Sequence, residues 1–155
     1  MTQKSEIGRL GEDIACEYLV NKGFTIIERN FRKLWGELDV ITKDPGGVLV
    51  FVEVKTMKEY GNDNPAIAGL LPEENLTAAK LKKLQRTASL YAGFNSELIN
   101  DDRGWRIDLI AITIPDVTAK GLIPLEAEVR CVPSWPLTGL TELLKYCEIK
   151  HFENI

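Results

Sequence analysis

The chain has 155 residues, 45% hydrophobic and 27% charged, which suits one globular domain around a single core. No apolar run is long enough to span a bilayer, and the stretch from Met1 to Arg9 is too polar for a signal peptide, so the expectation is a cytoplasmic protein with no membrane partner. The three cysteines, Cys16, Cys131 and Cys147, are odd in number and lack paired spacing; they read as reduced structural thiols rather than a disulfide framework or a zinc site.

The first predicted element is an amphipathic helix. Ser5 is its expected N-cap, Ile7, Leu10, Ile14, Tyr18 and Leu19 recur at helical spacing, and Gly23 stops it. Phe24 to Glu28 reads as a short first strand and Phe31 to Leu34 as a basic connector. Gly36 to Thr42 and Val48 to Thr56 read as strands joined by the turn Asp44-Pro45-Gly46-Gly47. The third strand is apolar on both faces until Glu53 and Lys55, which predicts a central position with its end opening into a cleft. Met57 to Asn75 is an irregular loop, and Thr77 to Tyr91 is a second helix with Leu81, Leu84, Ala88 and Tyr91 on one face. Trp105 to Ile114 and Leu122 to Val132 are predicted strands, and Thr138 to Ile149 a terminal helix. The order αβββαββα predicts a mixed sheet flanked by helices, an α/β domain.

The net charge of -4 and the isoelectric point near 5.1 argue mildly against nucleic-acid binding, because phosphate contacts are its main source of affinity. The charge is unevenly spread, however. From Asn75 to Gly93 there is no acidic residue, while Lys80, Lys82, Lys83 and Arg86 occur. This run reads either as a solvated helix face or as a surface for phosphate contacts. The same two readings stand for Arg29, Arg32 and Lys33.

The chemistry concentrates between Trp35 and Thr56. Residues i and i+2 of a strand share a face, so Glu53 and Lys55 lie together, and a hairpin brings Asp39 towards Glu53. Mg2+ takes oxygen ligands and often uses only one or two protein carboxylates. Asp39 and Glu53 meet that minimum, and Lys55 is placed to orient a water or to stabilise charge on a phosphate. The bland alternative is a surface ion pair between Glu53 and Lys55, which is common and weak. Charges within so apolar a strand favour the site.

These residues resemble the PD…(D/E)xK signature of restriction-endonuclease-like nucleases. The wider string is similar to the YraN-like family of predicted endonucleases, itself similar in fold to archaeal Holliday junction resolvases. The matching pieces are G-R-L-G-E-D-I-A from Gly8, R-N-F-R from Arg29, G-E-L-D-V-I from Gly36, V-F-V-E-V-K-T from Val50 and R-I-D-L-I-A from Arg106. Leu38 stands where the name-giving proline would be, and the chain beyond Val117 is unmatched. The resemblance implies a restriction-endonuclease-like core over 5–117 with an extension over 118–155. It implies Asp39, Glu53 and Lys55 as the catalytic trio with Mg2+ or Mn2+ as cofactor, DNA as partner, branched DNA included, and a possible homodimer. It also brings Glu12 to the metal site, a residue whose spacing alone reads as a solvated helix charge. Arg32, Lys33, Lys80, Lys83 and Arg86 are the candidate nucleic-acid contacts. Two other functions share the fold: a nucleic-acid-binding module without cleavage, and a protein-protein adaptor.

Other residues carry paired readings. Glu37 is a further ligand or a strand charge. Gly8 and Gly11, inside the first helix, allow close packing on the sheet or close approach of a phosphate backbone. Arg106 and Asp108 share a strand face and predict an internal ion pair. His151, the sole histidine, falls in an expected frayed tail, unsuited to a general base. Trp35 packs at a strand start or stacks on a base, and Trp105 and Trp135 read as core or rim. The stripe Leu137, Leu140, Leu143, Leu144 and Tyr146 covers the domain's own core or forms a dimer surface.

Overall fold

The computed structural model describes residues 3–59, 71–99, 102–115 and 140–155. They form helices α1 (Gln3–Asn21), α2 (Ala78–Phe94) and α3 (Leu140–Leu144), and strands β1 (Thr25–Lys33), β2 (Gly36–Lys43), β3 (Leu49–Lys58), β4 (Trp105–Ile114) and β5 (Glu148–Phe152). The strands make one sheet in the order β1-β2-β3-β4-β5, with β3 and β4 parallel and the other neighbours antiparallel. This is the expected α/β architecture, a mixed sheet flanked by helices, with β3 at its centre.

Both faces of β3 are buried because helices cover both sides of the sheet. Val50, Val52 and Val54 pack with Ile14, Leu19 and Ile110 beneath α1, and α3 adds Leu140 and Leu143 to that layer. Leu49 and Phe51 pack with Leu84, Ala88 and Tyr91 of α2 on the other face. A strand wet on one side would alternate; β3 cannot, and its apolar run follows. Leu140 and Leu143 are core residues, as the own-core reading of the terminal stripe expects, while Tyr146 is exposed. Leu137, Trp135, Cys131 and the strand expected over Leu122 to Val132 lie outside the described residues.

Two glycines mark where helices press onto strands. A Cβ on Gly11 would stand 1.8 Å from Thr56 Oγ1, and one on Gly36 would stand 2.0 Å from Thr87 Oγ1. Gly11 therefore serves packing of α1 on β3, whereas Gly8 has open space around it. The β2–β3 turn is fixed by Asp44. Its carbonyl accepts from Gly47 N at 2.9 Å, its side chain accepts from Val48 N at 2.9 Å, and Gly47 supplies a φ of +84°. Thr77 caps α2 by accepting from Lys80 N at 3.3 Å.

Three boundaries differ from expectation. Helix α1 begins at Gln3, so Ser5 lies inside it rather than at its cap. Strand β1 runs on through the expected basic connector to Lys33, because an edge strand pairs with one neighbour and tolerates exposed charges. The expected terminal helix is a single short helix, and the chain then returns as β5 against β4. His151 is consequently not in a frayed tail. Its side chain is 4% exposed, with Nε2 3.0 Å from Asp108 Oδ2, and its ring lies edge-on to Tyr18 at 5.8 Å.

Candidate active site

Strands β2 and β3 pair from Lys43↔Leu49 up to Val40↔Val52, where their ladder ends. Beyond that point β2 no longer offers β3 a backbone acceptor. The Asp39 carboxylate takes its place, accepting from Val54 N at 2.8 Å. This bond holds Asp39 beside the strand that carries Glu53 and Lys55. Lys55 Nζ donates to Glu53 Oε1, with the two side chains 21% and 16% exposed. The group sits at a fork between two strands, neither sealed in the core nor fully solvated.

The electrostatics show how close the acidic groups are. Burial, then the Glu53 carboxylate, then that of Glu12 push the Asp39 carboxyl up to about 7, against the Val54 N–H and the Lys55 ammonium, which lower it. Burial also raises the Glu12 carboxyl, aided by Asp13, and is opposed by a hydrogen bond from the Asn30 side chain and by Arg29 and Arg32. Glu12 contributes to the field at Asp39 but, among the described residues, is not gathered with Asp39 and Glu53 into one ligand group. Beside it, Arg29 of β1 pairs with Asp13 of α1 at 2.5 Å.

In the unfolded chain Asp39 ionises in the usual carboxylate range, so folding favours its protonated form. That contribution to stability is complete in acid and is lost as pH rises through about 7. Asp39→Asn keeps an oxygen for Val54 N–H and removes the charge. We expect it to stabilise the cation-free protein at about pH 8 by a few kcal/mol, and to leave it unchanged at about pH 4. Thermal melts at the two pH values check this; no gain at the higher pH would contradict it.

The remaining candidates fall elsewhere. Glu37 is exposed and lies 3.7 Å from Arg32, which makes it a strand charge. Lys33 stands over the Phe31 ring at 5.7 Å. Lys82, Lys83 and Arg86 are exposed on α2, and Lys80 Nζ donates to Asn75 O at 3.1 Å. Trp35 packs on Phe31 at 5.6 Å and Trp105 on Phe51 at 5.5 Å. Arg106 and Asp108 form the expected internal pair, 3.0 Å apart, on the face beneath α1 rather than at the fork. Burial pushes the thiols of Cys16 and Cys147 up to about 12 and about 11, which fits structural cysteines.

Sequence reasoning missed Asn30 and the Arg29–Asp13 pair. The available signal for Asn30 was an asparagine amid the strand-forming residues of β1, since asparagine tolerates a left-handed backbone. The pair is a contact between distant elements and had none.

Among the described residues, no three His, Cys, Asp or Glu side chains are gathered as a ready ligand cage. The donor set still fits a hard divalent cation: carboxylate oxygens, two of them from Asp39 and Glu53, with water and substrate able to complete the shell. The Asp39 carboxyl, pushed up first by burial and then by the Glu53 carboxylate, agrees with that fit, because a bound cation would offset both.

The molecule is therefore an α/β domain with an acidic fork at the end of its central strand pair. Residues 11–112 match the model of UPF0102, an uncharacterised protein family. A UPF0102 protein of Clostridium botulinum (strain Loch Maree / Type A3) is 38% identical over 109 residues, covering 70% of this chain and 80% of the relative. One from Symbiobacterium thermophilum is 48% identical over 87 residues, 55% of this chain and 65% of the relative. One from Oleidesulfovibrio alaskensis is 41% identical over 106 residues, 68% of this chain and 47% of the relative. The chain thus spans less than two thirds of the length of the last two. It belongs to the UPF0102 family, in keeping with its resemblance to the YraN-like proteins. No helix among its described residues is long and apolar enough to cross a membrane.

Proposed function

We propose that the fork hydrolyses phosphodiester bonds in DNA with the help of a divalent cation, and that branched or otherwise structured DNA is the preferred substrate. The observation that carries this is the Asp39–Val54 bond, which sets one carboxylate against the strand bearing a second carboxylate and a lysine. Asp39 and Glu53 would hold the cation, with Glu12 beside them. A bound Mg2+ or Mn2+ would supply Lewis acidity at the phosphate and a more acidic bound water. Lys55 stabilises the charge that develops on the phosphate oxygens and orients the attacking water. The exposed cations of α2, with Arg32 and Lys33, offer phosphate contacts that position the duplex arms.

A second reading is a module that binds nucleic acid without cutting it. The direct Lys55–Glu53 pair favours it, because an ammonium satisfied by Glu53 can also neutralise the fork without a cation. One experiment separates the two. Labelled linear and four-way DNA are incubated with the protein in Mg2+, in Mn2+ and in chelator. Cation-dependent product, greater on the branched substrate, supports cleavage. Salt-sensitive retention without product supports the binding module.

A further inference from the structure

The β1–β2 hairpin parts from the rest of the sheet at the fork. Strand β2 leaves β3 after Val40↔Val52, yet it stays paired with β1 through Leu38↔Phe31 and Glu37↔Arg32 to Gly36↔Lys33. These last three pairs form a two-stranded arm on one side of the fork, with β3 on the other. The pleat breaks where the arm begins. Asn30, opposite Asp39 in the register, has a φ of +54°, and Leu38 lies in the core beneath α2 whereas Val40 lies beneath α1. The arm is braced on α2: Phe31 packs edge-on to Tyr91 at 5.0 Å, Trp35 packs back on Phe31 at 5.6 Å, and Gly36 lies against Thr87. Leu34 turns away from this cluster. It is 109% exposed, more than any other large hydrophobic side chain among the described residues. Leu34 and Trp35 make the turn, where Asn-Gly or Asp-Gly is the usual pair, and neither has the positive φ that such turns use. Neither burial nor turn chemistry therefore calls for a leucine at the tip. Its surroundings are cationic. Arg32 and Lys33 are exposed beside it on β1, and Lys83 and Arg86 are exposed on α2 next to the Thr87 that touches Gly36. Glu37, 3.7 Å from Arg32, is the one acidic side chain on the arm.

We infer that Leu34 is a wedge that enters the branch point of structured DNA and packs on the base pair exposed there, so that the arm selects branched over linear substrates. The inference rests on the proposed action on DNA and adds how a branch is read. Charge fixes the class of partner: Arg32, Lys33, Lys83 and Arg86 suit phosphates on either side of the tip. An apolar side chain pushed into a continuous duplex must first unstack a base step, whereas a branch point offers bases whose stacking is already interrupted. One leucine on a braced arm thus favours the branch without reading sequence. Spacing adds a second consequence. Gly36 lies three residues along β2 from Asp39, about 10 Å by strand rise, or about three base steps along one DNA strand. A tip held in the branch therefore places the fork about three nucleotides from it.

The test uses the full chain with four-way and linear DNA that carry 2-aminopurine at the branch or at the matching position. Chelator is present, so binding is read without cleavage. Wild-type protein is expected to raise the fluorescence of the four-way DNA as the branch base loses its neighbour. Leu34→Ala is expected to abolish that rise and to lower the preference for four-way over linear DNA about tenfold, the effect of withdrawing one buried apolar side chain. Leu34→Met, still apolar and long, is expected to keep both. Because Leu34 is fully exposed, the melting temperature of each variant should stay within about two degrees of the wild type. No fluorescence rise with bound wild-type protein, or an unchanged preference in Leu34→Ala, would overturn the inference. A changed sedimentation coefficient in Leu34→Ala with its DNA preference intact would assign the tip to a second copy of the chain instead. A fluorescence rise from a protein that cuts nothing in Mg2+ or Mn2+ would sink the proposed cleavage and leave the wedge standing. A wild type that retains neither DNA at low salt would overturn both.

Discussion

Lys55→Ala is expected to reduce cation-dependent phosphodiester cleavage by about 10²- to 10³-fold, the typical effect of removing one donor aimed at developing charge. The loss should fall mainly on kcat, because a lysine that meets the phosphate charge as it grows contributes little to ground-state affinity. Retention of DNA should weaken only slightly, since the exposed cations of α2 and β1 remain. The fold should survive. Lys55 pairs with Glu53, their side chains 21% and 16% exposed, so its loss costs more than the ~1 kcal/mol of a surface pair but less than the ~3–5 kcal/mol of a fully buried one. Single-turnover cleavage together with a melting curve checks both statements. Wild-type cleavage by a folded Lys55→Ala protein would remove Lys55 from the site.

The largest effect on stability is expected from Asp108→Ala. Asp108 is fully buried and accepts from three directions: Arg106 Nε at 3.0 Å, Asn154 N at 3.0 Å, and the His151 ring at 3.0 Å. Arg106 is shared with Asp44 in the β2–β3 turn at 2.7 Å. One carboxylate therefore ties the hairpin turn, β4 and the returning C-terminal strand. Removing it leaves the buried His151 imidazole and the Asn154 N–H without their acceptor and Arg106 with Asp44 alone, and breaking a buried pair in this way costs about 3–5 kcal/mol. That is a large share of the 5–15 kcal/mol typical of a domain. Burial pushes the Asp108 carboxyl up, but His151, Arg106 and the Asn154 N–H outweigh it and hold it below the usual carboxylate range. Its contribution is thus present above the unfolded value and is lost as pH falls through the folded one. Urea unfolding at neutral pH should show the deficit, and the deficit should shrink in acid. A loss under about 1 kcal/mol would contradict this role.

The residues differ in how openly they announce their places. Strand β3 was legible because both its faces are buried, which leaves an unbroken apolar run. The turn after β2 was legible from Asp44 and the glycines that follow. Helix α2 was legible because Leu84, Ala88 and Tyr91 repeat at helical spacing and do face the core. Asp39, Glu53 and Lys55 were legible because strand period and a hairpin suffice to bring them together. Glu12 was not, since its approach to the fork depends on how α1 packs through Gly11 onto β3. Only the resemblance drew attention to it. The end of β1 and the whole of β5 were hidden for one physical reason: Arg32, Lys33, Glu148 and Lys150 belong to strands at the sheet edges, where charged side chains reach solvent and blur the apolar pattern. The burial of His151 needed knowledge of a partner 43 residues away. The broken pleat at Asn30 and Asp39 exists only between paired strands and has no signature in either strand alone.

The proposed function has Asp39 and Glu53 jointly hold a divalent cation. It is tested most directly by anomalous diffraction from a crystal soaked in Mn2+. A single strong peak within bonding distance of both carboxylates is predicted, with the Lys55 ammonium beside it. A fork without a peak in a crystal that takes up Mn2+ elsewhere, or one in which Lys55 Nζ stays locked on Glu53 and excludes the ion, would contradict it.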